Sequence, residues 1–149
     1  MKLYFIFTRR KLVAAALLLA LTLCIAGRMV LVNAASVKAS DDEARVRFAA
    51  ECGCEVEKTA ESVKKVRIPQ NFSEVYQRYN ELQKQAGFDL EQYKGCEATV
   101  YSYKVLKGGI AGQETLVNLI VYRNRIIGGD ISSTALNGKM LPLEKLKTE

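Results

Sequence analysis

The stretch TLVNLIVYRNRIIGGDISS, residues 115–133, decides the fold prediction. Residues 115–122 are almost continuously apolar, which is typical of a central strand. The pair Arg123-Asn124 is a turn signal, and a second extended segment follows it over residues 125–131. The stretch therefore predicts an antiparallel hairpin. Gly128-Gly129 in its second strand indicates a bulge or a close approach of another backbone.

Two amphipathic helices are predicted before this hairpin. The first begins at Ser40, as part of a capping box, and its inward face repeats every four residues at Ala44, Phe48 and Cys52. The second is capped by Asn71 and ends at Gly87, with Phe88 placed to close a Schellman motif. Three-to-four spacing gives this helix a predicted buried stripe of Val75, Tyr76, Tyr79, Leu82 and Ala86.

Extended segments are also predicted at residues 54–69 and 98–106, and one helical turn near residues 143–147. Runs of strands and helices in this order predict an α+β domain. We expect one or two helices packed on a mainly antiparallel sheet of about four to five strands. This domain would occupy residues 40–149.

A hydrophobic leader precedes the domain. Residues 12–26 carry no charge, follow Arg9, Arg10 and Lys11, and can be extended to residue 32 to give a segment long enough for a hydrocarbon core of about 30 Å. Basic residues before such a segment stay cytoplasmic. The sequence predicts a cytoplasmic stub at 1–11, a transmembrane anchor at 12–32 and a linker at 33–39, with the domain extracytoplasmic.

A cleaved signal peptide stays open as the alternative. The charged start and the apolar run suit one equally, and Val32-Asn33-Ala34 is an acceptable cleavage site. Lipid attachment at Cys24 is less favoured because Leu23 stands where a small residue is wanted. Cleavage would leave a secreted domain in place of a single-pass membrane protein.

The net charge of +6 lies entirely in the leader. Six basic and no acidic residues precede Ser40, and the domain that follows has equal numbers of each sign. A neutral domain without a long run of like charges does not favour nucleic-acid binding.

Catalytic and metal chemistry have little support in the composition. The absence of histidine removes the usual general base and every imidazole ligand, and the four cysteines lack paired zinc spacing. We therefore predict no catalytic residue, no metal site and no cofactor. Asp130 follows the glycine pair at a strand end, where a turn or capping role is favoured over catalysis.

Tyrosines and amides recur on the second helix and on the strands that it could cover. Such side chains could line a ligand groove, although core and boundary positions are the favoured explanation. The candidate binding surface consists of Tyr76, Tyr79, Asn80, Gln83, Tyr101, Tyr103 and Asp130.

Several of these motifs together carry a resemblance to a known family. They are ECGCEV at 51–56, VRIP at 66–69, YQRYNELQKQAGFDLEQYKG at 76–95, TVYSYKV at 99–105 and VNLIVYRNRIIGGDISS at 117–133. The chain resembles, over residues 44–141, a family of single-pass, membrane-anchored domains of unknown function from Firmicutes, chiefly Clostridia. The resemblance implies the α+β fold and the topology, and it brings no catalytic residues.

The resemblance also implies a candidate disulfide. The family usually carries a large aromatic residue near position 54 and a lysine near position 96. Cys54 and Cys96 both depart from that pattern, which implies a bridge between them.

Three functions fit the sequence. The first is a membrane-tethered, extracytoplasmic module that binds an envelope protein or a small ligand and has no enzymatic activity. The second is an envelope enzyme that uses Asp130 or a tyrosine. The third is an accessory structural subunit of a membrane complex.

Overall fold

The predicted central hairpin is present, and its two strands include the residues that were predicted for them. The computed structural model describes residues 37–144. The strands are β1 (Val37–Lys38), β2 (Glu55–Val56), β3 (Ser62–Arg67), β4 (Glu97–Lys107), β5 (Thr115–Tyr122), β6 (Arg125–Ser133) and β7 (Met140–Pro142). The helices are α1 (Asp42–Glu51) and α2 (Glu74–Gln85), with a short 3-10 helix at Leu90–Tyr93.

All strand pairs are antiparallel, around a meander of β4, β5 and β6. Short strands complete each outer side: β2 and β3 both pair with β4, and β1 and β7 both pair with β6. Arg123 and Asn124 have positive φ, as a tight two-residue hairpin turn requires. The described residues thus hold more strands than the four to five predicted, because the short strands β1 and β7 were not predicted.

The α+β prediction is confirmed, with one helix on each face of the sheet. Phe48 of α1 packs with Tyr103, Val117 and Leu119 in one apolar cluster. On the other face, α2 covers a second apolar cluster, formed by Ile68, Leu90, Ala98, Ile120 and Ile127. The central part of the sheet is therefore covered on both faces, which explains the nearly continuous apolar run in β5.

The helix ends follow the predictions with small shifts. Asp41 caps α1 in place of Ser40, because its carboxylate accepts the Ala44 amide at 2.8 Å. Ser73 caps α2 in place of Asn71. The Schellman motif is confirmed, since Phe88 N–H donates to the Gln83 carbonyl across Gly87 at φ 82°.

The buried face of α2 differs from the predicted stripe. Val75 is exposed, whereas Asn80 and Gln83 are buried. Both amides have backbone partners that a purely apolar stripe would leave unpaired. Asn80 Oδ1 accepts the Leu90 amide at 2.8 Å, and Gln83 Oε1 accepts the Gly129 amide at 2.7 Å. Hydrogen bonding to backbone therefore decided which residues turned inward.

The two glycines of β6 allow this close approach. A Cβ at Gly128 would lie 2.8 Å from Gln83 Oε1 and 3.2 Å from Leu90. β6 pairs with β1 at one end and with β7 at the other. Between them, the Gly129 amide donates a hydrogen bond to Gln83 Oε1. A helix side chain thus completes an edge where no described strand lies. A bulge occurs next to the glycine pair and not within it: Ile120 pairs with Gly128 and Val121 with Ile126, so Ile127 is the extra residue.

The predicted leader at 1–32, most of the linker, and most of the predicted turn at 143–147 lie outside the described residues. Within residues 37–144, neither α1 nor α2 has the length and apolar content needed to cross a bilayer.

Replacing Gly128 by Ala should destabilise the domain by about 1–3 kcal/mol, as overpacking of a filled interior does. The new methyl group would press on Gln83, which cannot swing away because it is fully buried and holds the Gly129 amide. Urea unfolding of the wild type, Gly128→Ala, Gln83→Ala and the double variant measures this effect.

The matched control is the double variant with Gln83→Ala, which removes the clashing atom. The cost of Gly128→Ala should fall in that background. An equal cost in both backgrounds would show that Gly128 is not needed for the approach of α2.

Candidate functional site

A row of polar side chains crosses the three central strands on the face that carries α2. Ser102, Asn118 and Asp130 are direct cross-strand neighbours in the register of β4, β5 and β6. The Ser102 hydroxyl donates to Asn118 Oδ1 at 2.7 Å, and Asn118 Nδ2 donates to Asp130 Oδ1 at 2.8 Å. We call these three residues the polar row.

The polar row is joined to α2 by Tyr79. The phenol of Tyr79 donates to Asp130 Oδ2 at 2.9 Å. Asn118 Nδ2 also donates to the hydroxyl of Ser132 at 2.8 Å, one step further along β6. Each central strand and α2 therefore contributes to one hydrogen-bonded network, which fixes the orientation of its members.

Asp130 is the only carboxyl group of this network, and its side chain is held by neutral donors. The residue is 3 % exposed, and burial raises the pKa of its carboxyl above the ordinary value. Hydrogen bonds from Asn118, Tyr79 and Ser132 act in the opposite direction without offsetting the burial. Burial, followed by the nearby Asp130 charge, also raises the pKa of the Tyr79 phenol.

The sheet beyond the polar row stays partly open. The next row on the same face is Lys104, Leu116 and Ser132, and each of these side chains retains solvent contact. The apolar cluster under α2 does not extend to them. We call this region the open floor; it is formed by Ser102, Lys104, Leu116, Asn118 and Ser132.

The predicted tyrosine surface is divided by the sheet. Tyr76 and Tyr79 pack together on the α2 face, with ring centroids 5.8 Å apart, beside Asp130. Tyr101 and Tyr103 pack on the opposite face, in the α1 cluster. The single groove that the sequence suggested is therefore not assembled. Of that set, Tyr76, Tyr79 and Asp130 come together, and Asn80 and Gln83 hold the local structure.

The tyrosines on the other face contact Arg45, which the sequence analysis did not single out. Its Nε donates to the Tyr103 hydroxyl at 2.7 Å, and its guanidinium lies 3.9 Å from the centre of the Tyr101 ring. Tyr103 donates in turn to Asp42 at 2.6 Å, and this bond, followed by that from Arg45, lowers the pKa of Asp42. The group attaches α1 to the sheet. Its position three residues before Phe48 is the signal that could have placed it beside the inward face of α1.

The implied Cys54–Cys96 bridge does not form. None of the three cysteines in the described residues is in a disulfide. Cys54 contacts the carbonyl of Gly108, just after the end of β4, whereas Cys96 directly precedes its start. The eleven residues of β4 span roughly 35 Å at about 3.3 Å per residue, and a disulfide needs Cα atoms within about 7 Å. The bridge is incompatible with this fold.

Metal ligation has no geometric support in the described part of the chain. Residues 37–144 contain no group of three or more Cys, Asp or Glu side chains arranged to hold a metal ion.

Comparison with known proteins gives a family. Residues 48–131 match the family described as Domain of unknown function (DUF4830). The match covers more than half of the 149-residue chain, so the chain belongs to this family. Neither the search of curated proteins nor that of solved structures found a match.

The buried Asp130 should make stability depend on pH in a defined direction. A carboxyl whose pKa is raised by folding binds its proton more tightly in the folded state, so ionisation as pH rises destabilises the fold. Asp130→Asn removes this ionisation, and the hydroxyls of Tyr79 and Ser132 can reorient to serve the amide. The melting temperature of the variant, relative to wild type, should therefore increase from below pH 3.8 to neutral pH.

Thermal unfolding followed by circular dichroism across this range measures the difference. Glu97→Gln, at an exposed carboxyl, is the matched control and should show a flat difference. A difference that falls with rising pH would mean that the folded carboxylate is stabilised by its environment.

Proposed function

We propose that this DUF4830 protein is a membrane-tethered, extracytoplasmic binding module of a Firmicutes bacterium, without enzymatic activity. Residues 12–32 are the anchor, residues 1–11 lie in the cytoplasm, and the domain of residues 40–149 faces outward. The apolar run and its preceding basic residues support this topology. The ligand is a small polar molecule of the cell envelope, or a polar group on an envelope protein, and it binds on the open floor.

The observation that carries the binding role is the set of spare hydrogen-bond acceptors on the open floor. Asn118 uses both amide hydrogens on Asp130 and Ser132, but its Oδ1 accepts only the bond from Ser102 among the bonds described. The hydroxyl oxygens of Ser102 and Ser132 each have lone pairs left as well. These groups lie on adjacent strands at a fixed register, so they offer a preorganised pattern.

Spare acceptors select for ligands that donate hydrogen bonds. The nearby Asp130 disfavours an anionic group, and Lys104 is already paired with Glu114 at 2.6 Å. Neutral molecules with hydroxyl or amide N–H groups meet both conditions. Leu116 at the centre of the floor adds an apolar contact, as is usual in ligand sites.

A binding role fits Asp130 better than catalysis does. The carboxyl is almost fully buried, and its oxygens are engaged by Tyr79 and Asn118. A general acid or base must come within hydrogen-bond reach of the reacting atom. A substrate on the open floor meets Asn118 and Ser132 before it meets Asp130.

An envelope enzyme is the second candidate, and the raised pKa of Asp130 is the observation that favours it. A carboxyl with a raised pKa can act as a general acid if Tyr79 moves aside. In that case Asp130→Asn would reproduce the deletion phenotype in cells, although the variant folds. Retention of wild-type behaviour by Asp130→Asn would exclude this candidate.

Envelope-derived molecules that carry hydroxyl or amide groups should raise the melting temperature of the full chain in detergent. A ligand at about 100 times its Kd stabilises by about 2.7 kcal/mol, which corresponds to several degrees. Ser132→Phe fills the open floor and should abolish the shift.

Val63→Phe is the matched control, since Val63 is exposed on the edge strand β3, away from the floor. It should keep the shift. A shift that survives Ser132→Phe would place the ligand elsewhere, and the absence of any shift across the panel would contradict a small-molecule role.

A further inference from the structure

Among residues 37–144, β3 is the longest of the outer strands of the sheet. It covers Ser62–Arg67 and pairs only with β4 in this part of the chain. The other outer strands, β1, β2 and β7, are two or three residues long. Proteins usually keep edge strands very short or interrupt them, because their unpaired backbone groups can accept another strand. β3 is long enough for several such backbone bonds.

The backbone groups at the free edge of β3 can be assigned from its pairing with β4. The amide of Ile68, just after β3, donates to the carbonyl of Cys96 at 2.9 Å. Hydrogen-bonded positions alternate along an antiparallel pair, so the even-numbered residues of β3 direct their backbone groups to β4. The odd-numbered residues direct theirs to the free edge, and they are Val63, Lys65 and Arg67.

The side chains at this edge are exposed and mostly cationic. Val63 is 57 % exposed. Lys64, Lys65 and Arg67 are exposed as well. None of these three cations forms an ion pair within residues 37–144, although Arg67 lies opposite Glu97 in the register with β4. The edge therefore combines free backbone groups with unpaired positive charge.

The charges disfavour a second copy of β3 as the partner. Two copies that pair antiparallel about their centre would place Lys64 of each beside Lys65 of the other. Parallel pairing in register would align each lysine with its own counterpart. Like charges directly opposite destabilise a sheet, so the lysines protect this edge against self-association. They do not protect it against an acidic strand, because carboxylates beside them would be attracted.

We propose that β3 accepts an extended, acidic segment of a partner protein as an additional strand of the sheet. The backbone of the segment bonds to the outward N–H and C=O groups of β3, and its carboxylates pair with Lys64, Lys65 and Arg67. In such strand addition the backbone bonds supply affinity, and the side chains select the partner. The inference depends neither on the tethered topology nor on a ligand at the open floor.

A fluorescein-labelled synthetic peptide of alternating glutamate and valine is the probe, and fluorescence anisotropy measures its binding to the full chain in detergent. We expect saturable binding that weakens as the salt concentration rises. A peptide of alternating lysine and valine should not bind. A peptide of alternating glutamate and proline carries the same charge but cannot form a regular strand, so it should bind at least about tenfold more weakly.

On the protein, Lys65→Pro removes an outward N–H of β3 and leaves the bonds to β4 in place. It should weaken the binding of the glutamate–valine peptide by about tenfold or more. Lys65→Gln is the matched control, since it removes the same charge and keeps the N–H. It should weaken binding less than Lys65→Pro does.

Amide hydrogen exchange in the wild type tests the same contact without a variant. The glutamate–valine peptide should slow exchange at Val63, Lys65 and Arg67, whose amides face the free edge. Failure of this peptide to bind would overturn the proposal. Equal binding of the glutamate–proline peptide, or protection at β7 in place of β3, would show that charge alone or another edge holds the peptide, and would overturn it too.

Discussion

The hydrogen bond between the Gly129 amide and Gln83 fixes where α2 lies, and the open part of the sheet follows from it. Short strands pair with β6 at both ends, and between them Gln83 Oε1 accepts the hydrogen bond from the Gly129 amide. The glycine pair makes room for this contact. Gln83 is fully buried, and its Nε2 has no hydrogen-bond partner among residues 37–144, which costs about 1–3 kcal/mol.

With α2 held at the β6 edge, its tyrosines cover only part of the sheet. Tyr79 reaches Asp130 and closes one end of the polar row, while Asn118 and Ser132 keep solvent contact beyond it. A helix placed nearer to β4 would have covered the floor. The proposed binding site, its proposed preference for neutral donors and the buried carboxyl thus all depend on one packing constraint. On the opposite face, Arg45 attaches α1 by comparable polar contacts, and no such opening is needed there.

Most of the fold was predictable because its signals are local. The bounds of β5, the turn at Arg123-Asn124 and the Schellman motif at Gly87 each depend on neighbouring residues, and each is confirmed. The site was harder, because its members meet only through sheet register. Ser102 and Asn118 are sixteen residues apart and had no pattern in common. The glycine pair did predict a close approach, but it could not name Gln83 as the partner, since amides on a helix are ordinarily expected at the surface.

Amide hydrogen exchange at Gly129, followed by nuclear magnetic resonance, tests this constraint most directly. The Gly129 amide should be strongly protected in the wild-type protein although no described strand pairs with it there. In Gln83→Ala it should exchange rapidly, while the amides of Val117 and Leu119 in β5 stay protected. Rapid exchange at Gly129 in the wild type, or protection that Gln83→Ala leaves unchanged, would show that α2 does not complete this edge and would remove the basis for the open floor.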